Sequence, residues 1–432
     1  MTFSFKNTLL VVGLGGWMCI GSTCGMKKGI LASIIYPEVS QMEVVVNLAS
    51  DEMEGREVGS KGGDRAAEYI GQVMSELALT PKGDNGSFIQ NFTFKPITIS
   101  PHGTPDSVRL GMAPVKEIAG KNVVGMIDNK QEKTLIIGSH YDHLGWGNEF
   151  SLFKGDSAIH NGADDNASGV AAMLKLAADI RNNPQAFHKF NYLFIAFSGE
   201  EYGLIGSNYY CQNPTVDLKK VHCMLNFDMV GRLKEDRGLA VYGVGTSPSW
   251  RGIVDGVNSN FDFKLVYEES GVGPSDHTSF YLMDIPVLHF FTGQHEDYHK
   301  PSDDISKINF NGLAEVTNYV LKITQEVTGI SDLEFTKTKD DSGDKMSFKV
   351  TLGVVPDYMY SDSGMRIDGV TEGRPAANAG MQKGDIVIKI GETDVPDMMA
   401  YMKCLGEFEE GDKTVVRVKR GEEELDLDVT WD

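Results

Sequence analysis

Between Gly62 and Leu79 the apolar residues Ala66, Ala67, Ile70, Val73, Met74 and Leu77 recur at helical spacing and leave one face to bury. Residues 81–130 are richer in Pro, Gly, Ser and Thr and read as strands with loops. Beyond them, short apolar runs alternate with helical ones. TLIIGS (134–139) predicts a strand, Ala167 to Ile180 a helix, NYLFIAF (191–197) a strand, and Leu204 to Cys211 a helix. HCMLNFDM (222–229), LAVYGV (239–244) and PVLHFF (286–291) predict further strands, and Phe310 to Val327 the last helix of the block. Such alternation predicts an α/β domain with a mostly parallel, buried sheet.

Near Thr328 the composition shifts to Thr, Lys, Asp and Ser, which predicts a linker over 331–345. Residues 346–432 then hold the runs FKVTLGVV, DIVIKI, TVVRVKR and ELDLDVTW and one short helix near Met398 to Leu405. That is a separate β-rich module. At the other end, Lys6 precedes the apolar stretch Leu9 to Gly21, too short and Gly-rich for a membrane span. Residues 1–24 read as a signal peptide. IGSTC (20–24) resembles a bacterial lipoprotein cleavage site, with Gly21 where an aliphatic residue is usual. A lipid anchor at Cys24 and plain secretion both stay open, and either predicts an exported protein, periplasmic or held at the cell envelope.

Composition narrows the field. The chain has 432 residues, 41 % of them hydrophobic, and its 48 Gly follow no three-residue period, so it is neither disordered nor collagen-like. Acidic residues outnumber basic ones 61 to 40, for a net charge of −21, which argues against binding nucleic acid. Five cysteines without a CxxC pair make neither a disulfide scaffold nor a thiolate zinc site. Cys211 and Cys223 could pair in an oxidising compartment.

Most side chains able to bind a divalent metal fall at the ends of predicted elements. His140 and Asp142 follow TLIIGS, Asp164 and Asp165 precede a helix, Glu200 and Glu201 follow NYLFIAF, Asp228 ends HCMLNFD, and His299 follows PVLHFF. In open α/β sheets the strands' carboxyl ends surround one crevice. Imidazole with carboxylate suits zinc, and these residues suffice for two ions that share one carboxylate. Singly, each has an ordinary reading: a solvated Glu pair, a polar surface His, an Asp-rich helix cap. Their joint order along the α/β pattern favours chemistry.

That order, HxD, DDNASG, EE, NFDM, SDH and YHxPxD, resembles the co-catalytic di-zinc aminopeptidases, a family that includes bacterial leucyl aminopeptidase and glutamate carboxypeptidase II-like peptidases. LASDEMEGREVGSKGGDRAAEYI (48–70) resembles that family's opening region. The resemblance implies a three-layer α/β/α domain over 25–330 that holds two Zn2+. His140 and Asp228 would hold one ion, Glu201 and His299 the other, and Asp165 would bridge them, with Asp164 a neighbour only. It implies a cis peptide at Asp165–Asn166, Asp142 orienting His140, Glu200 as general base toward a zinc-activated water, and Tyr298 donating to the oxyanion. Asp276 and His277 would lie beside the ligands or face the substrate. His295 would line the crevice or serve structure. The expected activity is removal of N-terminal residues from peptides. A carboxypeptidase, another amide hydrolase, a glutaminyl cyclase, or an inactive peptide-binding protein are the alternatives. Residues 346–432 resemble a PDZ domain, with LGVV (352–355) at the carboxylate-binding loop and GRPAANAGMQKGDIVIKIGETDV (373–395) as its most recognisable stretch. A peptide or protein C-terminus is the partner this implies.

Overall fold

The computed structural model describes residues 36–95, 117–148, 150–338, 350–356, 360, 362–370, 373–396 and 398–431. The proposed signal peptide, Cys24 and residues 339–345 of the expected linker lie outside the described residues.

The strands β1 (Thr80–Pro81), β2 (Ile89–Phe94), β3 (Ile118–Ile127), β4 (Thr134–His140), β5 (Asn191–Phe197), β6 (Val221–Phe227), β7 (Gly238–Tyr242), β8 (Lys264–Glu268) and β9 (Val287–Phe291) form one sheet in the order β1-β3-β5-β4-β6-β9-β7-β8, with β2 on β3. The central strands β5, β4, β6 and β9 run parallel, and both flanks turn antiparallel at β3 and β7. The chain leaves β4 for β5 on one side and then crosses to β6 on the other. The crevice opens where that direction reverses.

The central strands are buried on both faces, as their unbroken apolar runs require. Leu135 and Ile137 of β4 face one core cluster, and Ile136 between them faces another. On the first face lie α1 (Gln41–Leu48), α2 (Lys61–Glu76), α3 (Gly169–Asn182), α5 (Trp250–Asn258) and α7 (Phe310–Val327); on the second lie α4 (Ile205–Gln212) and α6 (His277–Tyr281). Helix starts follow local chemistry: Ser60 caps α2 through Gly63 N at 3.0 Å, and Asn309 caps α7 through Gly312 N at 3.0 Å. The pairing of Cys211 with Cys223 is not made. Cys211 packs on the α4 face and Cys223 on the α3 face, and both carry free thiols.

Residues 331–338 carry no helix or strand and lie along this domain. Leu333 joins its core, Phe335 packs on Tyr281, and Thr336 N donates to Thr246 O at 2.8 Å. The C-terminal module has its own core around Leu352, Ile367, Val387, Val416 and Trp431. Its strands β10 (Val354–Pro356), β11 (Met365–Val370), β12 (Ile386–Ile390), β13 (Thr393–Asp394), β14 (Lys413–Arg420) and β15 (Glu423–Thr430) pair antiparallel, with helices α8 (Pro375–Asn378) and α9 (Met398–Leu405).

Candidate metal centre

The carboxyl ends of the parallel strands deliver the side chains. His140 is the last residue of β4, Asp228 follows β6, Glu200 and Glu201 follow β5, Asp165 lies in the turn that opens α3, and His299 lies in the loop after β9. All eight residues named from sequence as metal or catalytic groups come to this end of the sheet. The Asp165–Asn166 peptide is cis.

Asp165 sits between two groups of donors. Its Oδ1 lies 3.4 Å from His140 Nε2, and that nitrogen lies 3.2 Å from Asp228 Oδ1. Its Oδ2 lies 3.4 Å from His299 Nε2 and 3.7 Å from His143 Nδ1. Glu201 completes the second group, with Oε2 at 3.0 Å from His299 Nε2 and Oε1 at 2.7 Å from His143 Nδ1. His143, in SHYDHLG, was not singled out from sequence; its place three residues after His140 was the available signal. Ligand-capable atoms of His140, Glu200 and Asp228 lie within 4.8 Å of one another, and those of His143, Asp165 and Glu201 do likewise.

The donor set fits zinc. Nitrogen and carboxylate oxygen converge at two points, and His299 Nε2 is buried without a hydrogen bond of ordinary geometry despite its nearby carboxylates. His140 and His299 would hold metal through Nε2, because Nδ1 is engaged elsewhere: at 3.2 Å from Asp142 O and at 2.9 Å from Phe150 O, respectively.

Charge in the metal-free protein is distributed as the geometry requires. Burial disfavours the His140 cation, yet Asp228, Glu200 and Asp165 hold its pKa well above the usual value. Burial disfavours the His299 cation too, and Glu201 and Asp165 reverse that. Burial lifts Glu200 well above the carboxylate range; His140 opposes this, and Glu201, Asp228 and Asp276 add to it. Burial pushes Asp142 up to about 7. Asp142 Oδ1 stands 3.8 Å from His140 Nδ1 and accepts from Glu200 N at 3.2 Å, so it touches both strand ends. Tyr298 stacks on the His299 ring with centroids 3.8 Å apart and lines the cleft with Met229, Pro274 and Phe291.

The remaining sequence candidates serve the framework. Asp164 turns away from the cluster, taking Ser168 Oγ at 2.9 Å, Gly231 N at 2.6 Å and His295 Nε2 at 3.2 Å. His295 is therefore Asp164's partner. Asp303 accepts from the backbone N–H groups of Asp164 and Asp165, at 3.0 Å for each. Asp276 is fully buried, and its charge is felt at Glu200 and Asp142. His277 stacks on His289, centroids 4.6 Å apart, and belongs to the packing beneath.

Residues 122–324 match the model of peptidase family M28, and residues 333–430 match that of the PDZ domain. A probable leucine aminopeptidase of Trichophyton verrucosum is 28 % identical over 225 residues, 48 % of this chain and 55 % of that protein. The chain spans about half the length of the curated relatives it matches. Among solved structures, BSAP, a zinc aminopeptidase from Bacillus subtilis, superposes with a TM-score of 0.51 at 19 % identity over 66 % of this chain and 94 % of that one. A Bacteroides thetaiotaomicron glutaminyl cyclase does so with 0.51 at 17 % identity, over 67 % and 99 %. At such identity these two likenesses speak for the fold. Fold, donor cluster and matched segments agree: the chain joins a peptidase domain of family M28 to a C-terminal PDZ domain.

Proposed function

We propose that this chain is an exported di-zinc aminopeptidase that removes N-terminal residues from peptides. One observation carries the reading: the two oxygens of Asp165 face two separate His and carboxylate groups, with Glu200 beside the first. His140 and Asp228 would hold one zinc, Glu201 and His299 the other, and Asp165 both. Bound zinc supplies Lewis acidity at the scissile carbonyl and lowers the pKa of the attacking water.

The chain's own residues do the rest. Glu200 takes the proton of the attacking water and returns it to the departing amine. Burial raises its pKa above the carboxylate range, which favours uptake of that proton. Asp142 orients His140 and, through Glu200 N, the base itself. The Tyr298 hydroxyl donates to the oxyanion as it develops. Met229, Pro274, Phe291 and Tyr298 give the cleft an apolar wall for the side chain of the residue removed. The relative named as a probable leucine aminopeptidase supports that assignment. A retained second group of ligands favours hydrolysis over cyclisation. The PDZ domain would bind a peptide C-terminus. Export, with or without a lipid on Cys24, rests on the N-terminal sequence.

The test is a peptide pool, half blocked at the N-terminus and half at the C-terminus, read by mass spectrometry beside the metal content. Stepwise N-terminal loss from free-amine peptides only, abolished by a chelator, is expected. Trimming of N-blocked peptides from the other end would refute the aminopeptidase assignment. Glu200→Gln is expected to retain both zinc ions and lose about 10²–10⁴-fold in turnover. Unchanged turnover refutes the role of Glu200.

A further inference from the structure

One buried cation beneath the metal loops is unused by the reading above. Arg56 is 0 % exposed and donates to four main-chain carbonyls. Nε donates to Tyr141 O at 2.7 Å, Nη1 to Leu48 O and Asn161 O at 2.6 Å each, and Nη2 to Gly162 O at 2.9 Å. Tyr141 lies between His140 and Asp142. Gly162 lies three residues before Asp165. One planar guanidinium thus ties the loop after β4 to the loop that opens α3.

Its neighbours in sequence grip the same loops. Gly55 O accepts from Gly145 N at 3.0 Å. Gly55 has φ +66, and a Cβ there would stand 2.4 Å from Gly145 O, so no other residue fits. Glu57 Oε1 accepts from the hydroxyl of Tyr202, the residue after Glu201, at 3.0 Å. Asp51 Oδ1 accepts from Asn161 Nδ2 at 3.0 Å. Residues 51–57 therefore touch each of the loops that carry His140, Asp165 and Glu201.

We propose that Arg56 is a positioning residue for the metal centre, holding the His140 and Asp165 loops at ligand spacing before any metal arrives. This rests on the di-zinc reading. Lysine cannot replace it, because a fork of fixed donors meets four fixed acceptors and an ammonium is a point charge. The cation also stands among the carboxylates of Asp165, Asp303, Asp142 and Glu201. Burial lowers the guanidinium to about 10, and these four oppose that. Its charge offsets part of their mutual repulsion.

The experiment compares the full chain with Arg56→Lys, which keeps the charge and loses the fork. Zinc affinity is measured by competition with a chromophoric chelator, and melting is followed with and without zinc. Arg56→Lys is expected to fold and to bind zinc roughly 10–100-fold more weakly, the range seen when groups that orient metal ligands are removed. Affinity within twofold of the parent, with equal loss of Tm in both states, overturns the proposal, because Arg56 then only stabilises the fold. Asp51→Ala changes an exposed residue and loosens the Asn161 anchor alone. A severalfold loss of affinity is expected there. Should Arg56→Lys fail to fold, unchanged affinity in Asp51→Ala overturns the proposal. A parent protein that binds no zinc overturns the metal reading and the proposal together; a zinc-binding parent with unaffected variants overturns the proposal alone.

Discussion

The metal end of the α/β sheet and the outer hairpin of the PDZ domain each carry an arginine that makes short hydrogen bonds. Arg56 is fully buried and binds neutral carbonyls. Arg417 on β14 faces Asp426 on β15 in register, donating from Nε at 2.6 Å and from Nη2 at 3.0 Å, with both side chains about half exposed. By distance and charge the Arg417 pair looks the stronger. Water reverses that ranking. An exposed pair exchanges its partner for solvent at little cost. The carbonyls around Arg56 have no water to turn to, and each buried acceptor left unpaired costs about 1–3 kcal/mol. Burial and the number of stranded partners decide what a contact is worth.

The largest effect that follows concerns Asp165, the one carboxylate shared by both donor groups. Asp165→Ala is expected to take the zinc content from two ions to none. His299→Ala is expected to spare the His140 and Asp228 pair and leave about one. Metal analysis after gel filtration decides the matter. Independent losses in Asp165→Ala, with one ion retained at full affinity, would show that Asp165 does not bridge.

Arg56→Met comes next, because it removes a donor from four buried carbonyls, of which Gly162 O keeps Ala167 N at 3.2 Å, with no charge to replace the lost one. The expected cost is about 3–5 kcal/mol, by analogy with breaking a buried polar group's partner set. Thermal unfolding of the zinc-free protein would show it as a fall in Tm of roughly 10 °C. A fall as small as that of an exposed pair would break the comparison at its root.

Legibility in the sequence follows the same division between side-chain and backbone partners. His140 and Asp228 were readable because they stand at the end of apolar strand runs, and Glu200, Glu201 and His299 because the EE pair and YHxPxD follow such runs in the order that the family resemblance supplies. The sheet was readable because β4, β5 and β6 are continuously apolar. His143 was passed over because the HxD pattern draws attention to His140 and Asp142, although its place three residues after His140 was a signal. Arg56 lies in the segment 48–70 that resembles the family, but its role gave no signal, because its partners are backbone carbonyls as far as 106 residues away and a carbonyl carries no sequence signature. The helices α1 and α5 and the strand β8 were not expected from the sequence. The Cys211–Cys223 separation was invisible because alternation on β6 decides which face Cys223 takes, and only the assembled sheet puts α4 on the other.

Asp385 sharpens the comparison from within the PDZ domain. Its carboxylate is 1 % exposed, takes the fork of Arg420 at 2.7 Å on both oxygens, and accepts from Gln382 N at 3.0 Å. It is buried like Arg56, but its main partner reaches solvent. Asp385→Ala is therefore expected to cost about 1–2 kcal/mol, between the two arginines. Denaturant unfolding of the full chain, read at Trp431 within that domain's core, measures it. A cost equal to that of Arg56→Met would mean that burial of one partner is enough.

Arg417→Gln should do least. Asp426 lies beside solvent and recovers water when the guanidinium is lost, and Glu424 nearby does the same. Gln keeps most of the aliphatic stem, so the cross-strand packing of β14 on β15 survives. The eight backbone pairings in that hairpin are untouched. The expected outcome is no resolvable change in the unfolding midpoint at physiological salt. A small loss could emerge only at low ionic strength, where exposed charges are less screened. A clear destabilisation that persists in high salt would show that the bidentate geometry itself holds the hairpin, and that exposure alone does not discount an arginine–carboxylate pair.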